Sequence, residues 1–416
     1  MGLCFPRPHF YIHFIPFFAP MSSTPLPQLI LNPGKETSLL RFHRWVFSGA
    51  VKTVTGKVED GSLCEIVSSK GTLIATAHYN QGSIVARILE FGKIGDLDAF
   101  YKTKIELAFA LREALSFKEN KTNIFRLING EGDGLPGLIV DVYGNTAVVQ
   151  AHSVGMFLDL DRIAKALVLA TSGVVKNVYS KSKETLPGKF GETAVDDFLV
   201  GELEVQAFTE NGVKFDIDFE KGQKTGFFID QRDNRNLLAQ YSKGRKVLNT
   251  FCYTGGFSMY ALKNGATKVV SVDSSKRAME AVEKNVSLNG FKPAKHESIT
   301  ADVMNFIKEG VFDFDLVVLD PPAFAKNIKN RHNALQAYKR LNESAIKGIA
   351  SGGIIFTFSC SQVVDSAAFE GAVRAAAIDA GRSVRILHRL RQPADHPVSI
   401  FHPEGEYLKG LVLMVE

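Results

Sequence analysis

Cysteine is scarce in this chain: Cys4, Cys64, Cys252 and Cys360 are the only four in 416 residues, and they lie far apart. That spacing excludes a disulfide framework, a paired zinc ribbon and a redox dithiol, and it fits a reducing, cytoplasmic setting. The histidines are scattered singly, so no metal site is read from the sequence. No apolar run is long enough to cross a bilayer, which needs about 20 residues, and no membrane partner is implied. The apolar stretch from Pro8 to Ala19 is interrupted by His13 and Pro16. It reads either as a secretory leader or, with Met21 as the start, as a disordered or misannotated extension over 1–27, which is the expectation taken. The excess of positive charge is only +5, which permits a polyanionic partner without demanding one.

What the chain does contain is an ordinary globular balance, with 45% hydrophobic and 22% charged residues, over a length that suits two or three domains. Residues 28–98 alternate as short strands, at 62–67, 72–77 and 83–89, and predict a small β-barrel. Before them, Arg41, Arg44 and Trp45 stand in the run RFHRWVFSGA. Cations beside an aromatic either meet phosphates and bases or form a basic turn around a core ring. A helix over 100–115 leads into a small α+β unit within 99–204, with a hairpin at 138–151, a helix over 157–170 and a strand at 174–180. Asn211-Gly212 marks another hairpin, and Asp230 is placed to cap a helix running to about Tyr241.

From Gly244 the pattern becomes regular strand and helix alternation, which predicts an α/β fold with a doubly wound, mostly parallel sheet over 205–416. Ligands bind such sheets at the carboxyl ends of strands. There stands Asn249 to Ser258 (NTFCYTGGFS), a strand, a glycine turn and a helix start without GxGxxG spacing, so a nicotinamide cofactor is disfavoured. Asp273 ends the next strand, where it can accept ribose hydroxyls or cap the following helix. Asp302 can meet an adenine amine or cap a helix in the same way.

Asp320-Pro321-Pro322-Ala323-Phe324 closes one apolar strand and Ser359-Cys360-Ser361 the next. Two prolines stiffen the turn and hold Asp320 at the cleft, while Cys360 points a thiol into it. A rigid carboxylate beside a thiol suits methylation at C5 of a pyrimidine, because a thiolate adding to C6 makes C5 nucleophilic. Methylation of a nitrogen needs no thiol and is the enzymatic alternative. An RNA-binding assembly factor without catalysis is the other. The polar loop carrying Arg391, Asp395 and His396 either orders the target nucleotide or is a solvated loop.

Together these blocks resemble the RlmI-like family of 23S ribosomal RNA large-subunit methyltransferases, from about Gln28 onward. The matching segments include Gly132 to Leu138, Asp230-Gln231-Arg232, Asp320-Pro321-Pro322, Ser359-Cys360-Ser361 and Ala394-Asp395-His396-Pro397. The resemblance implies a PUA-like RNA-binding domain, an EEHEE-type middle domain and a Rossmann-like class I methyltransferase domain, S-adenosylmethionine-dependent and forming 5-methylcytosine. It implies Cys360 as nucleophile and Asp320 as the group polarising cytosine. Asn249, Phe251, Tyr253, Thr254, Gly255, Asp273, Asp302, Asp320 and Gln231 would hold the cofactor. Arg41, Arg44, Trp45, Pro321, Phe324 and His396 would meet RNA. The expected substrate is 23S rRNA, naked or partly assembled, since the target base must be flipped; a homodimer is left open. The expected base that removes the C5 proton is unassigned, because Ala323 stands where another branch of these enzymes has a second cysteine.

Overall fold

The computed structural model describes residues 25–204, 206–310 and 313–416. The expected N-terminal extension lies outside the described residues up to residue 24. Three sheets and one short hairpin organise the rest.

The first sheet has six strands in the order Trp45–Phe47, Ile84–Phe91, Leu73–Tyr79, Leu63–Val67, Gln28–Leu31, Val51–Thr55. Alternation puts Leu29, Leu31, Cys64, Ile66, Ala75, Ala77 and Ile88 into one buried core, the period-2 pattern of half-buried strands. The pairing is antiparallel except between Gln28–Leu31 and Leu63–Val67, which run parallel.

The linking helix spans Leu97–Glu113, starting earlier than its hydrophobic spacing predicts because Asp96 caps it, accepting from the Asp98 and Ala99 amides at 2.9 and 3.2 Å. Its buried face, Tyr101, Ile105, Ala108, Phe109 and Arg112, recurs at helical spacing. The middle sheet runs Asp197–Val200, Asn177–Ser180, Thr146–Ala151, Leu138–Tyr143, Ile124–Asn129. Three strands precede its first helices and two follow, with the short helix Gly188–Thr193 between those two, one strand more than an EEHEE order. The single helix expected over 157–170 is two, Val154–Leu158 and Leu160–Ala170. The break falls at Asp159, whose carboxylate takes His78 Nε2 at 3.0 Å and the Tyr101 hydroxyl at 2.6 Å.

Asn211 and Gly212, both at positive φ, turn the hairpin between Phe208–Glu210 and Val213–Phe215, as a two-residue turn requires. Glu210 then takes a bidentate pair from Arg235, at 2.8 and 2.7 Å, which fastens the hairpin to the helix Arg232–Ser242.

The C-terminal sheet has seven strands in the order His296–Thr300, Lys268–Asp273, Lys246–Thr250, Leu316–Leu319, Gly353–Ser359, Lys409–Val415, Val384–Leu390. The first five are parallel and the last two antiparallel. Helices Gly256–Lys263, Lys276–Leu288, Val303–Lys308, Arg331–Gly348 and Ser366–Ala380 make the crossovers and cover both faces. Gly353–Ser359 is consequently buried along its whole length. Chain order reverses at Lys246–Thr250, and a cleft opens at the carboxyl ends beside that switch point.

Candidate active site

Leu319 pairs with Thr357 on adjacent parallel strands, so Asp320 and Cys360 emerge side by side. Cys360 Sγ points to the Asp-Pro-Pro corner, 4.0 Å from the Pro321 carbonyl oxygen, and the residue is half-buried. Its neighbours Ser359 and Ser361 are fully buried. Ser361 is pinned by the Tyr338 hydroxyl at 3.0 Å and, through its carbonyl, by Lys409 Nζ at 2.7 Å. Burial first, and the charge of Asp320 second, push the Cys360 thiol up to about 11, against the opposing pull of Lys224.

Asp320 accepts from Gln231 Nε2 at 3.1 Å. Gln231 is itself oriented by Asn234, which donates to its amide oxygen at 2.6 Å. Burial and the nearby charge of Asp230 push the Asp320 carboxyl up to about 7; Gln231, Arg235 and Lys224 oppose this. Asp230 behaves oppositely. Burial works against its ionisation, but Lys224, His396 and the Tyr407 hydroxyl at 2.7 Å outweigh it and hold the carboxyl below its ordinary range. Asp230 does not cap the helix as the sequence predicts. A 3-10 turn, Ile229–Gln231, intervenes and puts Gln231 at the cap position.

These groups wall a cavity of about 240 Å³. The turn after Thr250 forms its floor, with Phe251 and Tyr253 in the left-handed region and Gly255 beyond them. Gly255 has φ +78°, and a Cβ there would lie 3.1 Å from Val282, so a side chain would be both strained and crowded. Asp273 accepts the Tyr253 amide at 3.0 Å and the Ser275 amide at 2.9 Å, so it braces the turn while facing the cavity. Of the residues expected to hold a cofactor, Gln231, Phe251, Tyr253, Thr254, Asp273 and Asp320 line this space. Asn249 and Gly255 do not: Gly256 rather than Gly255 lines it, and Asn249 is buried and donates to Ser258 Oγ at 2.9 Å. Asp302 is exposed and caps the helix Val303–Lys308 by accepting the Asn305 amide at 2.8 Å. Sequence reasoning missed Lys224, Phe228 and Arg235 in the wall, although Gln223 to Arg232 reads as a segment able to cover a cleft.

A second cavity of about 620 Å³ adjoins the first, sharing Lys224, Phe227, Phe228 and Asp230. All three domains reach it, through Trp45 and Arg87, through Arg126 and His152, and through Tyr407 on the loop before the strand Lys409–Val415. Trp45 is steadied by its indole N–H, which donates to Glu131 at 2.8 Å. Arg87 Nη1 is buried without a hydrogen-bond partner. Burial, followed by the charges of Arg126, Arg87 and Lys224, lowers His152 to about 4. The expected RNA residues divide here. Trp45 lines the large cavity and Pro321 the small one. Arg44 turns inward to the carbonyls of Ile88 and Leu89 at 3.0 and 2.9 Å. Arg41 is exposed on a short turn. Phe324 packs on Tyr338 with ring centroids 4.7 Å apart. His396 is buried against Asp395. Asp395, fully buried, joins the domains: it accepts from Arg232 at 2.5 Å and from the Arg126 amide at 2.9 Å.

Residues 160–407 match the family model of S-adenosylmethionine-dependent methyltransferases, and residues 29–91 match a PUA-like domain. Ribosomal RNA large subunit methyltransferase I from Alteromonas mediterranea is 40% identical over 93% of this chain and 98% of its own length. The Escherichia coli protein of the same name is 38% identical over 93% and 99%. The chain belongs to this methyltransferase family. Its fold also matches a solved Streptococcus mutans structure, described as a provisionally assigned methyltransferase, with a TM-score of 0.79 at 21% identity over 93% of this chain and 99% of that one.

S-adenosylmethionine is the cofactor of this methyltransferase, and it supplies an electrophilic methyl on a sulfonium centre. The donor set of the small cavity fits a cationic ligand of that kind. Asp230, Asp273 and Asp320 face it, and Asp230 Oδ1 is buried with no partner. Lys224 in the same wall complements a carboxylate, while Arg235 is held by Glu210 and the Phe228 carbonyl.

Proposed function

We propose that the chain methylates C5 of a cytosine in large-subunit 23S ribosomal RNA, taking the base from naked or partly assembled RNA. The name of its relatives supports the substrate class, and the PUA-like domain supports an RNA partner. The observation that carries the chemistry is the Cys360 thiol facing the Asp-Pro-Pro corner in a wall shared with Asp320.

A thiol pushed up to about 11 is almost wholly protonated at neutral pH, so its proton must leave as the base enters. Asp320, whose carboxyl lies near 7, is suited to take that proton and deliver it to N3 of the ring, a role that requires a group titrating near the working pH. The sulfur then bonds to C6 and an electron pair moves to C5, the carbon to be methylated. Loss of the C5 proton and cleavage of the sulfur–C6 bond return the thiolate and the product. The adjoining cavity, with Trp45, Arg87 and Lys224, offers one stacking ring and two cations to an unstacked strand, while Arg126 in its wall is paired with Asp141.

The test is incubation with cofactor and RNA containing 5-fluorocytosine. Fluorine cannot leave as a proton does, so a denaturation-stable adduct on Cys360 is expected, absent in Cys360→Ala. With ordinary RNA, that variant should lose turnover by at least about 10³-fold. Full turnover in Cys360→Ala would instead mean that a nitrogen of adenine or guanine is methylated.

A further inference from the structure

Away from the thiol, three side chains able to ligate a metal meet across a domain boundary. His43 precedes the strand Trp45–Phe47, while His402 and Glu404 belong to the loop before the strand Lys409–Val415. His43 Nε2 lies 3.4 Å from Glu404 Oε1 although the two residues are 361 positions apart. His402 Nδ1 lies 3.6 Å from Glu404 Oε2, and one ligand atom from each of the three residues falls within 4.8 Å of the others.

His402 is 2% exposed, and its Nδ1 has no hydrogen-bond partner. A buried ring nitrogen left unmatched costs about 1–3 kcal/mol, and here it is aimed at a carboxylate and a second imidazole. His43 Nδ1 accepts the Trp45 amide at 3.3 Å and lies 3.4 Å from the Trp45 carbonyl oxygen, so a cation at Nε2 would select the other tautomer. The tautomer that donates Nδ1–H to the carbonyl leaves Nε2 unprotonated toward Glu404, the outer-shell bond that ligating imidazoles commonly make.

We propose that His43 Nε2, His402 Nδ1 and the Glu404 carboxylate bind a zinc-class divalent cation. Two imidazoles and one carboxylate form a borderline nitrogen-rich donor set, suited to zinc and poorly suited to magnesium or calcium, which take oxygen ligands. Tetrahedral bonds of about 2.0–2.1 Å place ligand atoms roughly 3.3 Å apart; His43 Nε2 and His402 Nδ1 lie 3.4 and 3.6 Å from different oxygens of Glu404, and the ligand set falls within 4.8 Å, so the side chains close by up to about 1.5 Å as the cation binds. Water completes the fourth position. Because His402, Glu404 and Trp45 line the large cavity, the cation clamps the PUA-like domain to the C-terminal loop at the rim of that cavity.

The experiment is titration calorimetry of the EDTA-stripped full chain with zinc chloride, with magnesium chloride as control. One zinc equivalent is expected, with no magnesium response. Affinity should fall at least tenfold in His43→Gln and in Glu404→Gln, both of which alter side chains that are not fully buried and so keep the test independent of folding at His402. Cobalt in place of zinc should give tetrahedral visible absorption that both variants lose. Absence of zinc binding, or undiminished affinity in both variants, overturns the proposal.

Discussion

The protonation state of Cys360 sets the first demand on the chemistry and can be measured without RNA. The shift from 9.0 to about 11 is two units, about 2.7 kcal/mol against the thiolate. At pH 8 only about one molecule in 10³ carries the nucleophile. Peptide-resolved alkylation with iodoacetamide should therefore rise tenfold per pH unit up to about pH 10 and level off near 11. Cys64, pushed up to about 12 by burial, and Cys252, raised well above its ordinary range for the same first reason, are both buried and react more slowly still. Asp320→Asn leaves the burial of the thiol, its larger cause, but removes the second, the adjacent negative charge. The variant should alkylate about 3- to 10-fold faster at pH 8, a gain tempered because a less basic thiolate is a weaker nucleophile. A wild-type midpoint at or below pH 9, or no acceleration in Asp320→Asn, refutes this account of the site.

Asp320→Asn should also change stability with a defined sign. A carboxyl raised in the folded state stabilises the fold below about pH 4 and loses that contribution as pH rises through about 7. The variant should therefore gain roughly 1–3 kcal/mol over wild type at pH 8 and little at pH 4, read from thermal melts; equal gains at both pH values would contradict it. Asp395→Asn should cost about 3–5 kcal/mol, because it leaves the Arg232 guanidinium buried without its anion, and should lower the melting temperature by roughly ten degrees. Burial opposes ionisation of Asp395, yet His396 and Arg232 hold its carboxyl far below the ordinary range. Wild-type stability from this group is thus present above about pH 4 and lost in acid, a slope the variant should lack. Trp45→Ala should weaken RNA binding by about 1–3 kcal/mol and leave cofactor affinity unchanged, measured by fluorescence anisotropy and calorimetry; unchanged RNA affinity would remove Trp45 from the RNA surface.

The legible parts of this protein are those whose signal is local. Strand ends, the Asp-Pro-Pro turn and the thiol after a largely apolar strand are each written in a few consecutive residues, and Asn211-Gly212 names its own turn. The outer strands Ile124–Asn129 and Asp197–Val200 escaped because they lie beside turns with weak periodicity, and their places are set by the sheet they join. The two-helix break at Asp159 depends on His78 and Tyr101, distant in sequence. Similar local signals also part company in space: Asp273 ends a strand and reaches the cavity while Ser275 caps the helix that follows, whereas Asp302, two residues past its strand, is the cap itself and stays outside the cavity.

Asp230 shows why such cases need tertiary information. Its position before a helix gives it the features of a cap, and a side chain judged by its neighbours would accept backbone amides there. The extra turn at Ile229–Gln231 moves the cap to Gln231 and frees Asp230 for Tyr407, 177 residues away. Gln231, whose own side chain makes no capping bond, holds Asp320 instead. One residue of displacement therefore places two carboxylates in one cavity wall with opposite tendencies, Asp230 held ionised and Asp320 titrating near 7. Environments that push two carboxyls apart in this way divide acid–base labour between them. Burial first, and the negative charge that Asp230 keeps beside it second, leave Asp320 able to carry a proton at neutral pH. Moving the helix start back by one residue would undo both.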